Sequence, residues 1–460
     1  MEPFIKLEQE EKQLVTNRYK ASRFNMLATE DDGSLYLSNT MTGSFIAVPA
    51  ETVPEVKSLL RLGYEGEAEG LVQQLVDRGF MVKEEVNELF RARMLHEIVG
   101  RRSDTLQLIF LTSEQCNFRC VYCYEKFEKG NMQPEVREAV KKYVQKQARF
   151  LNSLNIHWFG GEPLLALDTI EDLSQEFLRI CGEQGIRYHS AMTTNGYLLT
   201  PDVATRVLDL GVKTFQITLD SDAEQHDKHR HLAGGQPTFQ KIWNNLLELK
   251  KLDRQFLCRI RVNFDQANLP NIPNFIETLS EHFGKDPRFS VNFFPIGQWG
   301  GPNDDELPVL SEKQAFTQAL SLCETAMDKD LNNALENRLK PGGYVCYAAR
   351  SNSFVIGSDG ILYKCTVALY NEKNIVGKLQ PDGTMKLNKD NLALWIMNDE
   401  SEDTGCKTCF FRPACQGASC PLVRIESGKA PCPPEKKNIQ KVIRIVGREM
   451  KKRYLATNRS

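Results

Sequence analysis

The chain has 460 residues, 58 Lys and Arg against 60 Asp and Glu, and 13 Cys. Its 41% apolar and 26% charged content excludes a disordered chain, and a net charge of −2 argues against a dedicated nucleic-acid binder or a polybasic membrane protein. At roughly 100–200 residues per domain the length suggests about three domains.

In chain order, residues 1–100 read as a small α+β module. Residues 34–49 alternate around Met41-Thr42-Gly43, as a hairpin would. Residues 52–62 and 67–78 have the pattern of short amphipathic helices, 79–82 that of a closing strand, and 84–99 that of another helix. Arg101-Arg102-Ser103-Asp104 is a polar break. From 105 to 295 strands and helices then alternate. Strands are expected at 106–111, 155–159, 187–193, 212–219, 258–264 and 288–294. Helices are expected at 134–150, with Pro134 near its first position, and at 168–182, 201–210, 239–252 and 271–283. Six such units predict an α/β fold with a parallel partial barrel, since a complete eight-unit barrel needs about 250 residues. Residues 297–308, rich in Gly, Pro and Asp, read as a linker. A helix over 311–333 with Ser311 as its cap follows, ended by Lys340-Pro341-Gly342-Gly343. The remainder is Cys-rich, with one hairpin over 353–365 around Ser358-Asp359-Gly360 and a basic helix over 435–454 whose charge reads as a solvated face. The expected units are 1–100, 101–300, a linker and bridging helix over 301–340, and 341–460.

No apolar run approaches the ~18 residues of a membrane span, and the N-terminus is acidic without an apolar signal core. A cytoplasmic protein is expected, in which thiols stay reduced and 13 cysteines point to metal rather than to disulfides. Cys181, Cys258 and Cys323 are isolated and read as core residues. Cys116, Cys120 and Cys123 form one tight group, and Cys346, Cys365, Cys406, Cys409, Cys415, Cys420 and Cys432 fall in the last quarter.

Cys116-Asn-Phe-Arg-Cys120-Val-Tyr-Cys123 follows the first barrel strand, where α/β barrels place their chemistry. Three thiolates on a four-iron cubane leave one iron open. Structural zinc would want a fourth nearby ligand, and the nearest downstream histidine, His157, falls inside an expected strand. Cys-x₃-Cys-x-aromatic-Cys, with Tyr122 as the aromatic residue, resembles the signature of radical S-adenosylmethionine (SAM) enzymes. The resemblance implies that the open iron is chelated by SAM and that an electron from the cluster yields methionine and a 5′-deoxyadenosyl radical. Phe159-Gly160-Gly161-Glu162-Pro163, Thr193-Thr194-Asn195-Gly196, Thr218-Leu219-Asp220-Ser221 and His226-Asp227-Lys228-His229-Arg230 are similar to the family's SAM-binding elements. By that resemblance Gly160, Gly161 and Glu162 face the SAM ammonium, Thr194 and Asn195 lie near the cofactor, Thr218 bonds the ribose and Arg230 pairs with the carboxylate. His226 and His229 read as structural or surface residues.

The second cysteine group resembles the SPASM extension of radical SAM enzymes, with four residues rather than the usual three between Cys415 and Cys420. The resemblance implies two auxiliary [4Fe–4S] clusters, three clusters in all. Cys406, Cys409, Cys415 and Cys432 would ligate one, and Cys346, Cys365 and Cys420 would give three ligands to the other. Seven thiolates for two cubanes leave an open iron or a non-Cys ligand, and an open iron suits a substrate thiolate. A zinc ribbon on Cys406/Cys409 and Cys415/Cys420, or clusters that only staple a small domain, remain alternatives. The architecture of residues 1–100 resembles the winged-helix-type recognition module of peptide maturases, which pairs a strand edge with a leader peptide. The implied substrate is a ribosomally made, Cys-containing precursor peptide, and the implied electron donor is a flavodoxin or ferredoxin; no membrane or nucleic-acid partner is expected. Sulfatase-maturing relatives carry an Asp after the second SPASM cysteine, where this chain has Thr366. Thioether formation is therefore the leading expectation; carbon–carbon crosslinking, epimerisation, backbone excision and formylglycine formation are the alternatives.

Overall fold

Short alternating segments shape the first hundred residues. The structure, a computed structural model, describes residues 17–333, 335–397 and 404–457. Strands β1 (Arg18–Ala21), β2 (Asn25–Thr29), β3 (Leu35–Asn39), β4 (Phe45–Val48), β5 (Tyr64–Glu65) and β6 (Met81–Lys83) form two small antiparallel sheets, ordered β5-β1-β6 and β2-β3-β4. The expected hairpin is β3–β4. β1 and β2 were not legible, because strands of only four and five residues show too little alternation. Helices α1 (Val53–Leu62) and α2 (Gly70–Asp77) bury Val56 and Leu75 in a core with Leu37 and Phe80. α3 (Glu88–Gly100) begins four residues later than expected, where the Asn87 side chain accepts from Phe90 N and caps it.

The central sheet follows from one apolar run, in its first strand, and from five strands in which apolar residues alternate with polar ones. β7 (Thr105–Ser113), β8 (Ser153–Gly160), β9 (Arg187–Thr194), β10 (Val212–Thr218), β11 (Leu257–Phe264) and β12 (Phe289–Pro295) pair in parallel, in sequence order. Helices α4 (Pro134–Ala148), α5 (Leu167–Gln184), α6 (Pro201–Asp209), α7 (Ala223–His229), α8 (Phe239–Lys251) and α9 (Ile272–Phe283) connect them. The helix side of the sheet is packed with rings: Phe110 stacks on Trp158 at 5.4 Å and on Phe177 at 5.9 Å. α7 was not expected; with seven residues and only His226 buried, it carries no readable period.

The sheet does not stop at β7. β13 (Ser353–Ile356) pairs in parallel with it, and β14 (Ile361–Tyr363), β15 (Ile375–Leu379) and β16 (Met385–Leu387) extend the sheet antiparallel to ten strands. One sheet therefore runs across the boundary expected at residue 340. The 353–365 hairpin is present, with Gly360 at φ 79° in its turn.

α10 (Glu312–Asp328) starts with a Ser311–Gln314 capping box and ends earlier than expected, just before Asp330 at φ 61°. The C-terminal helix (Ile439–Thr457) carries an apolar face beside its basic one. It buries Val442, Ile443, Ile445 and Val446 completely, packing on β2 and β3. From its other side Arg448 pairs with Glu30 at 2.8 Å and Glu324 at 3.2 Å, which ties the N-terminal sheet to α10. Cys181, Cys258 and Cys323 are buried, as expected of core residues. Among the described residues no helix is long and apolar enough to cross a membrane.

Candidate active site

The C-terminal ends of β7–β12 open into a cavity of about 450 Å³. Cys116, Cys120 and Cys123 line it, on the loop that leaves β7. The loop is fixed by backbone bonds from Arg119 N to His231 O and from Val121 N to His229 O, both at 2.9 Å. The segment after α7 thus holds the cysteines in place. Asn303 adds a bond from Nδ2 to Val121 O at 3.0 Å. Phe118 N donates to Cys116 Sγ at 3.3 Å. Burial pushes the Cys116 and Cys123 thiols up to about 12, with further contributions from the neighbouring sulfurs. Three thiolates crowded here need a strong cationic partner to exist.

Gly160 and Gly161 end β8 against this loop. A Cβ on Gly160, which sits at φ 121°, would come within 2.3 Å of Ser113 O. One on Gly161 would meet Gln115 O at 2.4 Å and Cys116 Cβ at 3.1 Å. Glycine is therefore required for strand end and cysteine loop to touch. Glu162 is fully buried, and its carboxylate accepts from Asn195 N at 2.7 Å, Thr194 Oγ1 at 2.7 Å and Leu164 N at 3.0 Å. It acts as a tie between the ends of β8 and β9, and it does not line the cavity. Burial raises its pKa against the pull of these donors. Asn195 in turn donates to Asn117 Oδ1 at 2.7 Å.

Tyr122 is the hub of a polar network under the loop. Its hydroxyl donates to Asp220 Oδ2 at 2.6 Å and accepts from Arg230 at 2.9 Å and from Asn263 Nδ2 at 2.9 Å. Burial raises the phenol well above its ordinary range. Burial alone would raise Asp220 too, but His229 and Arg230 outweigh it and hold the carboxyl low. His229 lies 3.6 Å from Asp220 and 3.5 Å from Asp265. His226 is fully buried and structural: its Nδ1 accepts from Asp220 N, and its Nε2 meets Thr238 Oγ1 at 3.1 Å. Arg230 lines the cavity, and its Nε has no partner among the described residues. Thr194, Asn195 and Thr218 line the same space.

Several lining residues were not singled out in the sequence. Arg261 and Asn263 alternate with core residues on β11, and Arg261 Nε donates to Asn263 Oδ1 at 2.7 Å while its guanidinium lies 3.9 Å over Phe294. Their inward register on the fifth strand was the available signal. Glu125 is held up at about 8 by burial, with Glu114 adding to the shift. Tyr347 and Thr366 reach the cavity from the C-terminal region, next to Cys346 and Cys365. Thr366 Oγ1 shares a bond of 3.0 Å with the Tyr347 hydroxyl.

The later cysteines draw together in two groups. Burial raises the Cys346 and Cys365 thiols; the nearby sulfurs of Cys365 and Cys420 add to the shift at Cys346, and that of Cys420 adds to the shift at Cys365. Cys406, Cys409, Cys415 and Cys432 line a small space with Lys436.

Residues 110–264 match the family model of the Radical SAM superfamily. The chain carries a radical SAM domain. It is a radical SAM enzyme, and the domain implies SAM and a [4Fe–4S] cluster. The chain is 24% identical over 334 residues to the cysteine-type anaerobic sulfatase-maturating enzyme of Clostridium novyi, covering 67% of this chain and 86% of that protein. It is 26% identical over 207 residues to the radical SAM cyclopropyl synthase TigE of Paramaledivibacter caminithermalis, covering 40% and 42%. Among solved structures, native anSMEcpe with bound AdoMet and Cp18Cys peptide aligns at a TM-score of 0.58 and 20% identity, covering 75% of this chain and 99% of that one. The fold is thus shared with that structure. The residues present fit the implied groups: three mutually close thiols at the cavity wall, a guanidinium with an unpaired buried Nε, and a glycine cradle beside the first cysteine.

Proposed function

We propose that this enzyme modifies a ribosomally made peptide by radical chemistry and that its product is a thioether crosslink. The observation that carries the reading is that the first cysteine group and the chain neighbours of Cys346 and Cys365 line one cavity. Cys116, Cys120 and Cys123 wall one side, and Tyr347 and Thr366, each next to a cysteine of the second region, wall another. On this reading Cys116, Cys120 and Cys123 hold the SAM-binding cluster. Cys406, Cys409, Cys415 and Cys432 hold one auxiliary cluster, and Cys346, Cys365 and Cys420 give three ligands to a second. When bound, the first cluster and SAM supply a 5′-deoxyadenosyl radical that takes a hydrogen atom from carbon.

The chain's own residues bind and orient. Arg230 grips the SAM carboxylate with the nitrogens that Tyr122 leaves open. Thr218 and Asn195 contact the cofactor, Gly160 and Gly161 let backbone approach it, and Glu162 positions the loops that do so. Tyr122 fixes Arg230 from behind. Residues 1–100 present a strand edge to the leader of the precursor peptide, and a flavodoxin or ferredoxin supplies electrons. A thiol-bearing substrate is favoured because the cysteines of the second region leave one auxiliary ligand unfilled.

Formylglycine formation is the second reading, favoured by the sulfatase-maturating relative. Thr366 opposes it: its hydroxyl is engaged by Tyr347 and is a poor base. The test is to incubate the reconstituted enzyme with Cys-containing peptides, SAM and reductant. A thioether product loses two hydrogens, one from carbon and one from sulfur, together with one free thiol. A product that keeps every thiol overturns the thioether, and a product that loses sulfur and gains an aldehyde supports formylglycine instead.

A further inference from the structure

The inner face of β11 carries Arg259, Arg261 and Asn263, opposite Cys258, Ile260 and Val262 in the core. Arg261 lines the reaction cavity together with Asn263, Tyr122 and Arg230. Hydrogen bonds tie these four into one wall. Arg261 Nε donates to Asn263 Oδ1 at 2.7 Å, and Asn263 Nδ2 and Arg230 Nη1 each donate to the Tyr122 hydroxyl at 2.9 Å. The Arg261 guanidinium lies over the Phe294 ring at 3.9 Å. Asn263 and Phe294 thus fix its orientation from one edge and one face. Its two Nη groups bond to no described residue and, unlike Nε of Arg230, keep accessible surface. The side chain lines the cavity, so that open edge faces it.

The charge of this wall is not balanced. Arg261 makes no ion pair among the described residues. Asp220 acts on it at longer range, but that carboxylate takes the Tyr122 hydroxyl and lies 3.6 Å from His229. Glu125 is the one carboxylate among the lining residues, and the groups that act on it do not include Arg261. An arginine this enclosed is paired as a rule. SAM has a single carboxylate, which the reading above assigns to Arg230, and Arg261 is left without an anion.

We propose that Arg261 is a specificity-determining residue that binds a carboxylate of the peptide substrate, an acidic side chain or the C-terminus, beside the reacting residue. The inference rests on the peptide-maturase reading above. A carboxylate accepts from both Nη groups at once, in the plane of the guanidinium that Phe294 and Asn263 already hold. A glutamine or asparagine amide offers one acceptor and turns a donor toward the second Nη. A lysine would set another cation into a wall that already holds two. The bound carboxylate fixes where the neighbouring carbon lies, and that placement decides which hydrogen a radical in this cavity can reach.

The test is equilibrium dialysis of the reconstituted, full-length enzyme, saturated with SAM, against two matched pairs of probes. The α-amide of N-acetyl-glutamate and that of N-acetyl-glutamine report a side-chain carboxylate; N-acetyl-alanine and N-acetyl-alaninamide report a C-terminal one. In at least one pair the acid is expected to bind about tenfold more tightly than its amide, the size of one charge-assisted pair. Arg261→Gln is expected to erase that preference. Arg261→Lys keeps the charge without the fork, is expected to retain only part of the preference, and stands in should the first variant fail to fold. SAM affinity is measured alongside: if Arg261→Gln weakens it as far as Arg230→Gln does, the guanidinium serves the cofactor and the subsite is overturned. Formation of 5′-deoxyadenosine by the wild type without probe is measured on the same samples. If it is absent, the underlying radical reading fails. If it is present and neither acid binds more tightly than its amide, or both variants keep the full preference, the subsite alone is overturned.

Discussion

The two cysteine regions are held in contrasting ways. Cys116–Cys123 hang from a strand whose neighbours are long, paired and packed with Phe110, Trp158 and Phe177. The loop itself is pinned by backbone bonds to residues 229 and 231. Cys406, Cys409, Cys415 and Cys432 of the second group sit on short pieces: four-residue helices Thr404–Lys407, Arg412–Cys415 and Pro434–Lys437, and the segments beside them. In the first region apolar packing sets the geometry and metal adds chemistry. In the second, little regular structure precedes the cysteines, so bound metal would itself supply much of the folding free energy.

Removing iron gives the largest separation between the two. Chelation under reducing conditions is expected to open residues 404–437 to limited proteolysis while the 105–295 barrel stays protected. Mass mapping of the fragments checks this, and cuts spread evenly over both regions would erase the contrast.

Acid acts on the opposite side of the comparison, because all seven histidines precede residue 283. Burial pushes His157 and His226 down to about 4, from an unfolded value near 6.5. Between those values the unfolded chain binds more protons, so stability is present above about pH 6.5 and falls as pH drops toward 4. The loss is on the order of 3 kcal/mol per histidine when complete. His229 offsets part of it, since Asp220 and Asp265 raise its pKa against the effect of burial. Denaturant titrations at pH 7 and pH 5 are expected to show the fall, and His157→Gln to reduce its slope. An unchanged slope would mean that His157 is not held neutral.

Tyr122→Phe is the finest test. It strips one hydroxyl shared by Asp220, Arg230 and Asn263. The expected cost is about 1–3 kcal/mol of stability with weaker SAM binding, read by thermal unfolding and dialysis, with the 404–437 segment unaffected.

The barrel was legible because its strands, apolar-rich or alternating, recur between amphipathic helices, and its cysteine loop because the spacing is local. What stayed hidden was non-local. Nothing in Ser353–Ile356 announces that it pairs with Thr105–Ser113, some 240 residues earlier, because pairing partners leave no mark in a single sequence. Glu162 was read as facing the cofactor; the structure turns it into a buried tie, a role set by Thr194 and Asn195 on another strand. The grouping of Cys420 with Cys346 and Cys365 likewise depends on how the chain returns, and the resemblance, not the spacing, suggested it.

The most direct test of the central claim is SAM cleavage at the first cysteine loop. Anaerobically reconstituted enzyme, dithionite and SAM are expected to give methionine and 5′-deoxyadenosine in equal amounts, and Cys116→Ala to give neither above background. Cleavage at the wild-type rate by Cys116→Ala, or none by wild type carrying its full iron and sulfide, would contradict the account.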